Sequence, residues 1–386
     1  MMSGWSFFFA GGLSFLLSLV LTRVMIWVSP KIGFVDKPGH RKIHANPKPL
    51  GGGVAIFWTM ALVVGTVVAA TAFMQSVSAT HQAFALQQGL WQQVPLIVAM
   101  GLATLALHVM GLCDDRRAMG PYSKLLIQLG VTAALVIAME LLAQHTPSLR
   151  LRVLTTLDAH VGGPWLSIVV TVMWIAAITN AFNFLDNMDG LSAGVAVVCA
   201  TAFFVAAVSI GQIFVAGALS IFIGAVLGFL VWNFPPSRIF MGDSGSLVLG
   251  FVLGVLTVKT TFLPEDANFQ TQWWAVLAPV IVLAVPLYDL VVVSIIRLSR
   301  GHSPFRGDTN HFSHRLVARG MSRRTAVLCI YLVSAATSIA AIVLPQVRSE
   351  LGALLIVIQT LLVLGVVLIL EQHPLPQPEL EDDQRP

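Results

Sequence analysis

Residues 191–233 read LSAGVAVVCATAFFVAAVSIGQIFVAGALSIFIGAVLGFLVWN. No Asp, Glu, Lys or Arg interrupts them, and only Gly211 and Gln212 mark a turn in the middle. A helix needs about 20 predominantly apolar residues to cross a hydrocarbon core, so this stretch holds two spans back to back. The remaining chain has the same character. Of 386 residues, 56% are hydrophobic and 10% charged, and the mean hydropathy is +0.84. An ordinary soluble domain carries roughly 25% charge, and its surface must be polar. The composition therefore excludes a cytosolic enzyme, a disordered chain and a secreted disulfide scaffold. The expected class is all-α, a polytopic integral membrane protein.

Working outward, apolar runs fall near residues 5–29, 51–74, 94–113, 123–143, 165–182, 191–210, 212–233, 246–263, 273–297, 325–345 and 350–370, predicting about 11 transmembrane helices. Residues 1–370 are expected to form one transmembrane catalytic domain. Residues 371–386, Pro-rich and acidic, are expected to be a disordered cytoplasmic tail. The N-terminal run lacks a basic segment before it and reads as a retained span, not a signal peptide. Segment 144–164 is mixed in polarity and suits a short strand pair or an interfacial helix.

Lys and Arg set the orientation. Lys31, Lys37, Arg41, Lys42 and Lys48 share one loop; Arg116, Arg117 and Lys124 share another; Arg300, Arg306, Arg315, Arg319, Arg323 and Arg324 share a third. Loops of the other parity carry only Arg150, Arg152 and Arg348. The positive-inside rule puts the N-terminus outside and the C-terminus in the cytoplasm. The net charge of +4 suits anionic lipid or a phosphorylated substrate, not nucleic acid. Cys113, Cys199 and Cys329 form no CxxC pair and imply neither a disulfide framework nor a thiolate metal site.

Acids are scarce and one-sided. Asp36, Asp114, Asp115, Asp186, Asp189, Asp243 and Asp308 all fall at cytoplasmic span ends or in cytoplasmic loops. A carboxylate near membrane depth costs about 2.5–3.5 kcal/mol by insertion scales, so this gathering predicts a polar site at one interface. Asp114-Asp115 ends a helix, where the macrodipole disfavours anions; the pair calls for a counter-cation, from Arg116 and Arg117 or from a metal. Asn180, Asn183, Asp186 and Asp189 recur every three residues, which aligns them on one helix face and suits a nucleotide base or ribose as well as a polar cap. Phe240-Met-Gly-Asp243-Ser-Gly-Ser246 puts one carboxylate in a small-residue turn, where N–H groups can cradle an anion and Asp243 can hold a divalent metal. His311 and His314, with Arg306 and Arg315, suit a pyrophosphate better than zinc. The loop 36–53 brings Lys48 and a Gly triplet whose N–H groups, opening a helix, can bind phosphate. A secondary transporter is the rival from another class, although transporters gather polar groups near the midplane.

In this order the motifs resemble the polyprenyl-phosphate N-acetylhexosamine-1-phosphate transferase family, which includes the peptidoglycan translocase and the WecA- and TagO-type initiators of surface polysaccharides. The resemblance runs from about Gly33 to Arg324. It implies transfer of N-acetylglucosamine 1-phosphate, or a related sugar phosphate, from a UDP-N-acetylhexosamine to polyprenyl phosphate, with Mg2+ (or Mn2+) and release of UMP. It implies a bacterial inner-membrane protein, active on the cytoplasmic face, with a homodimer as one possible assembly. By match, Asp114 and Asp115 position or deprotonate the lipid phosphate, and Asp243 binds the metal. Asn183, Asp186 and Asp189 face the nucleotide, Asn233 and Phe240 contact uracil and ribose, and His311 and His314 lie near the pyrophosphate. The chain departs from the family at Ser313, where the WecA-like branch has a histidine, and at Ala118, where it has an acid.

Overall fold

The structure is a computed structural model that describes residues 5–36, 47–76, 81–155, 158, 162–260, 273–304 and 310–372. The helices are α1 (Trp5–Lys31), α2 (Gly52–Ser76), α3 (His81–Arg116), α4 (Pro121–Ala143), α5 (Trp165–Leu185), α6 (Leu191–Ser209), α7 (Ile213–Asn233), α8 (Asp243–Lys259), α9 (Ala278–Val282), α10 (Ala284–Ser299), α11 (Phe312–Ala318), α12 (Arg323–Val343) and α13 (Glu350–Gln372). Among the described residues nine helices are long and apolar enough to cross a membrane. The turn expected at Gly211 separates α6 from α7, and Gly211 there adopts a left-handed φ of +71°.

Two runs differ from simple spans. The run 273–297 is bent by 71° at Leu283, between Trp273–Val282 and Ala284–Ser299; counted as one span it brings the number to ten. The run 246–263 becomes α8, only 17 residues, or about 25 Å at 1.5 Å per residue. Every residue from Ser244 to Thr257 is buried, so α8 is a central post rather than a lipid-facing span. Segment 144–164 holds a 3-10 turn, Pro147–Leu149, and no strand among its described residues. The strand pair lies instead on the other side, where β1 (Val35–Asp36) pairs antiparallel with β2 (Lys48–Pro49). Helix α13 runs two residues past the expected domain boundary, and the tail from 373 lies outside the described residues.

Small residues let the helices approach without an aqueous hydrophobic drive, as membrane packing requires. A Cβ on Gly224 would stand 2.1 Å from the Gly11 carbonyl oxygen, and one on Gly228 2.5 Å from that of Phe15. Ser14 and Ser18 of α1 donate to the Ile221 and Ala225 carbonyls at 2.7 and 2.5 Å. Around α8 the same device recurs: Gly111 of α3 lies against Ser244 and Gly53 of α2 against Gly245, while Gly250 lies against Thr179 of α5. On the far side Arg152 is held by Glu140, Asp158 and Ser167, so one of the few basic side chains of that parity is neutralised locally.

Candidate active site

The site forms where the ends of α3 and α5 and the start of α4 meet the start of α8. Its organising contact is between Asp115 and α8. Asp243 N–H donates to Asp115 Oδ1 at 2.7 Å, and Ser244 N–H donates to Oδ2 at 3.1 Å. The left-handed Gly242, φ +74°, makes the turn possible, and a Cβ there would strike the Asp115 carboxylate. The anion in the expected cradle is therefore a side chain of the protein itself. Asp115 finds its compensation in the N-terminal dipole of α8, not in Arg116 or Arg117. The Gly triplet is also occupied internally: Gly52 and Gly53 N–H groups donate to the Phe240 and Met241 carbonyls, both at 3.0 Å. The phosphate reading of those N–H groups is thereby corrected.

Helix α3 grips α8 along one face. His108 Nδ1 lies 2.9 Å from the Ser244 carbonyl oxygen, Gly111 touches Ser244, and Asp115 caps the helix. The His108 ring stacks on Phe57, with centroids 4.5 Å apart. Sequence reading missed His108 and Gly111, though their spacing of three, and then four to Asp115, is that of one helical face.

Lys124 is the central cation, also missed. Its Nζ donates to Asp243 Oδ2 at 2.8 Å and to Asp114 Oδ2 at 3.1 Å. Asp114 Oδ1 accepts the Met119 N–H at 2.7 Å. Asn183 donates to Asp243 Oδ1 at 3.1 Å and to Ser246 Oγ at 2.9 Å. The need for a counter-cation beside the Asp pair is legible in the sequence, which offers Arg116 and Arg117 for it and Lys124 only as an orientation signal.

Asp186 ends α5 beside this cluster. Desolvation first, then the Asp243, Asp115 and Asp189 carboxylates, holds its carboxyl well above the ordinary carboxylate range. Asp189 accepts the Ser237 N–H at 3.0 Å and pairs with Lys48 at 3.5 Å. Lys48 also donates to Ser237 Oγ at 2.9 Å and lies 4.8 Å from the Phe240 ring centroid. These groups form a second pole, with one aromatic face and mixed donors and acceptors.

Three expected ligand residues have their polar groups committed inside the fold. Asn180 donates to Gln128 Oε1 and to the Ala176 carbonyl, at 2.7 and 2.8 Å. Asn233 is buried; its Oδ1 accepts from Gly190 N–H and its amide donates to the Ile239 carbonyl. His311 is buried too, against Asp289 and Arg297. Asn233 and His311 shape the site from behind, and Asn180 lies at its edge. His314 is half-buried, and desolvation first, with His311 and Arg323 nearby, pushes its imidazole below the ordinary value. Arg315 pairs with Glu371 of α13 at 2.8 Å. Ser313, at the departure from the family, donates to Asn187 Oδ1 at 2.5 Å. Arg306 and Asp308 lie outside the described residues. Beside the cluster runs an apolar groove of about 300 Å³, lined by Leu125, Leu129, Ala176, Asn180, Phe184 and Leu290.

The model of glycosyl transferase family 4 matches residues 96–261, which hold Asp114, Asp115, Asn183, Asp186 and Asp243. A probable undecaprenyl-phosphate N-acetylglucosaminyl 1-phosphate transferase of Bacillus subtilis is 32% identical across 89% of this chain and 87% of its own. The chain belongs to glycosyl transferase family 4. Within that family, a decaprenyl-phosphate N-acetylglucosaminephosphotransferase of Mycolicibacterium smegmatis is 31% identical over 78% of this chain and 73% of its own. An undecaprenyl-phosphate alpha-N-acetylglucosaminyl 1-phosphate transferase of Yersinia pestis is 30% identical over 83% and 80%. Membership makes the chain a multi-pass membrane enzyme of the phosphotransferase type.

Proposed function

We propose that this family 4 enzyme transfers N-acetylglucosamine 1-phosphate from UDP-N-acetylglucosamine to polyprenyl phosphate, with Mg2+, and releases UMP. The observation that carries the reading is the alternation Asp114–Lys124–Asp243 beside an apolar groove. Anionic headgroup and apolar tail are the two parts of the acceptor. The relatives' names supply polyprenyl phosphate and N-acetylglucosamine.

The donor set fits Mg2+. Among the described residues no three metal-binding side chains stand together, but Mg2+ typically takes one or two carboxylates and fills its shell with water and phosphate oxygens. Asp243 already holds a cation, the Lys124 ammonium, and its neighbours are hard oxygen donors. Asp243 would hold the metal, with Asp186 next to it. When bound, Mg2+ supplies charge neutralisation to the pyrophosphate and the departing UMP.

The chain's own residues do the positioning that phosphoryl transfer depends on. The groove along α4, α5 and α10 receives the isoprenoid tail. Lys124, next in the chain to the groove residue Leu125, and its partner Asp114 receive the acceptor phosphate, with Lys124 as its counter-charge. A phosphate oxygen attacks the phosphorus that bears the sugar. The new oxygen–phosphorus bond forms as the bridging bond to UMP breaks, and UMP carries the released electron pair. Lys48, Asp189 and Phe240 hold the uridine end, and His314 faces the pyrophosphate. Asp115 acts through α8, whose first turn it fixes.

In the same reading α8 and the bent α9–α10 count as spans, giving eleven with the N-terminus outside. The active face is then cytoplasmic, in a bacterial inner membrane. Residues 1–370 form one catalytic domain, and a homodimer is an assembly for size measurement to decide. The direct test is UMP release by purified protein given Mg2+, polyprenyl phosphate and each of a panel of UDP-sugars. N-acetylglucosamine transfer is expected. Release from none of them would sink the reading.

A further inference from the structure

Asp289 lies in the middle of α10, fully buried, and no role in the reaction yet described uses it. Its Oδ1 accepts the Phe312 N–H at 2.7 Å, and its Oδ2 lies 2.8 Å from His311 Nδ1. Just over two turns further along α10, Arg297 is also buried and presents Nη2 to His311 Nε2 at 3.3 Å. Its Nη1 donates to the Pro304 carbonyl at 2.5 Å, and its guanidinium lies 5.0 Å from the centre of the Phe184 ring. The edge of His311 meets the same ring. Three elements therefore join at one imidazole: α10, the start of α11, and the end of α5 that carries Asn183 and Asp186.

The donor and acceptor inventory of these groups fixes the proton. A carboxylate that already accepts from a backbone N–H accepts again from His311, so Nδ1 carries hydrogen. A guanidinium only donates, so Nε2 offers its lone pair. We infer that Asp289 and Arg297 are positioning residues that hold His311 as the neutral Nδ1–H tautomer, a bridge between carboxylate and guanidinium that passes no proton in the reaction. The bridge fixes the start of α11, and so the place of His314, against the Phe184 wall of the lipid groove. Of the two motif histidines, His314 is the one left to meet substrate.

The inference rests on the transfer reaction proposed above, and one substitution separates a bridge from a proton carrier. A glutamine amide donates through its nitrogen and accepts through its oxygen, the polarity this tautomer has. His311→Gln is expected to keep UMP release within the same order of magnitude as wild type. His311→Ala, which removes the bridge, and Asp289→Asn, which offers an N–H where an acceptor is needed, should each lose roughly ten- to hundredfold, the usual cost of losing a partner that orients a histidine. The loss should appear in kcat with the KM for the UDP-sugar little changed. Nitrogen-15 spectra of histidine-labelled protein should show His311 with a protonated Nδ1 and a bare Nε2. A folded His311→Gln as inactive as His311→Ala, or a protonated Nε2 in wild type, would overturn the inference. If wild type releases no UMP from any UDP-sugar, the reaction reading fails, and the nitrogen spectra still decide the tautomer.

Discussion

Asp115 directs both carboxylate oxygens at backbone N–H groups of α8, whereas its neighbour Asp114 gives one oxygen to the Met119 N–H of its own loop and the other to the Lys124 ammonium. Two adjacent residues of the same type thus have different work. Removing a helix cap costs about 0.5–2 kcal/mol. Asp115→Asn, which keeps one acceptor and turns a donor toward the other N–H, should lower the unfolding temperature in nanodiscs along with activity. Asp114→Asn should lower activity with the unfolding temperature held. Equal thermal shifts in the two variants would refute the division. Asp186 gives a pH prediction. Its carboxyl, held well above the ordinary range by desolvation and three neighbouring carboxylates, keeps its proton to higher pH than a free carboxylate. A group that must ionise to meet a cation does so more readily as pH rises, so the Mg2+ concentration for half-maximal rate should fall with rising pH. In Asp186→Asn that dependence should flatten. A dependence unchanged in the variant would remove Asp186 from the metal's surroundings. The Asp and Asn spacing was visible in the sequence. What each carboxylate pairs with was not, because Asp115–Asp243 and Lys124–Asp243 join residues more than a hundred positions apart.

The α3–α8 contact is the element that aligns these residues. A Cβ on Gly111 would stand 2.4 Å from Ser244 Cα, which is backbone and cannot swing away. Gly111→Ala must push the helices apart, at the 1–3 kcal/mol typical of overpacking, and it carries Asp115 away from the N–H groups it caps. The expected result is a chain that inserts but has lost most UMP release; wild-type kcat in Gly111→Ala would show that the close approach is dispensable. Element identity was largely legible, since spans announce themselves by length and apolar run. The break at Leu283 and the burial of α8 were hidden. Apolar residues face lipid and protein alike, so hydropathy does not say which helix stands in the centre. The Gly-rich turn at 242–245 was read correctly as a cradle for an anion. It was filled by the wrong one, because a side chain from α3 competes with any phosphate.

At the scale of the molecule, the one-sided basic loops require Ser349 and Ser322 to lie on opposite faces of the membrane. In a chain with its three cysteines replaced by serine, Ser349→Cys should react with an impermeant maleimide in intact cells. Ser322→Cys should react only after permeabilisation, and the reverse pattern would invert the orientation. The shortness of α8 then acquires a meaning for the lipid. Lys259, at its far end, donates to the Ser148 carbonyl and so stands at the level of the loop 144–164, the outer loop in the proposed orientation. A 17-residue helix starting there stops about 5 Å short of the opposite edge of a 30 Å hydrocarbon core. In the orientation proposed above, the Asp243 carboxylate would therefore be sunk beneath the headgroup plane in a polar well. Had it stood in the cytoplasm, the acceptor would have to be hauled outward by about one isoprene unit. At about 0.8 kcal/mol per apolar carbon, exposing five would take roughly 4 kcal/mol. A sunken carboxylate removes that extraction work: the long lipid keeps its tail in the bilayer, and the water-soluble nucleotide makes the descent.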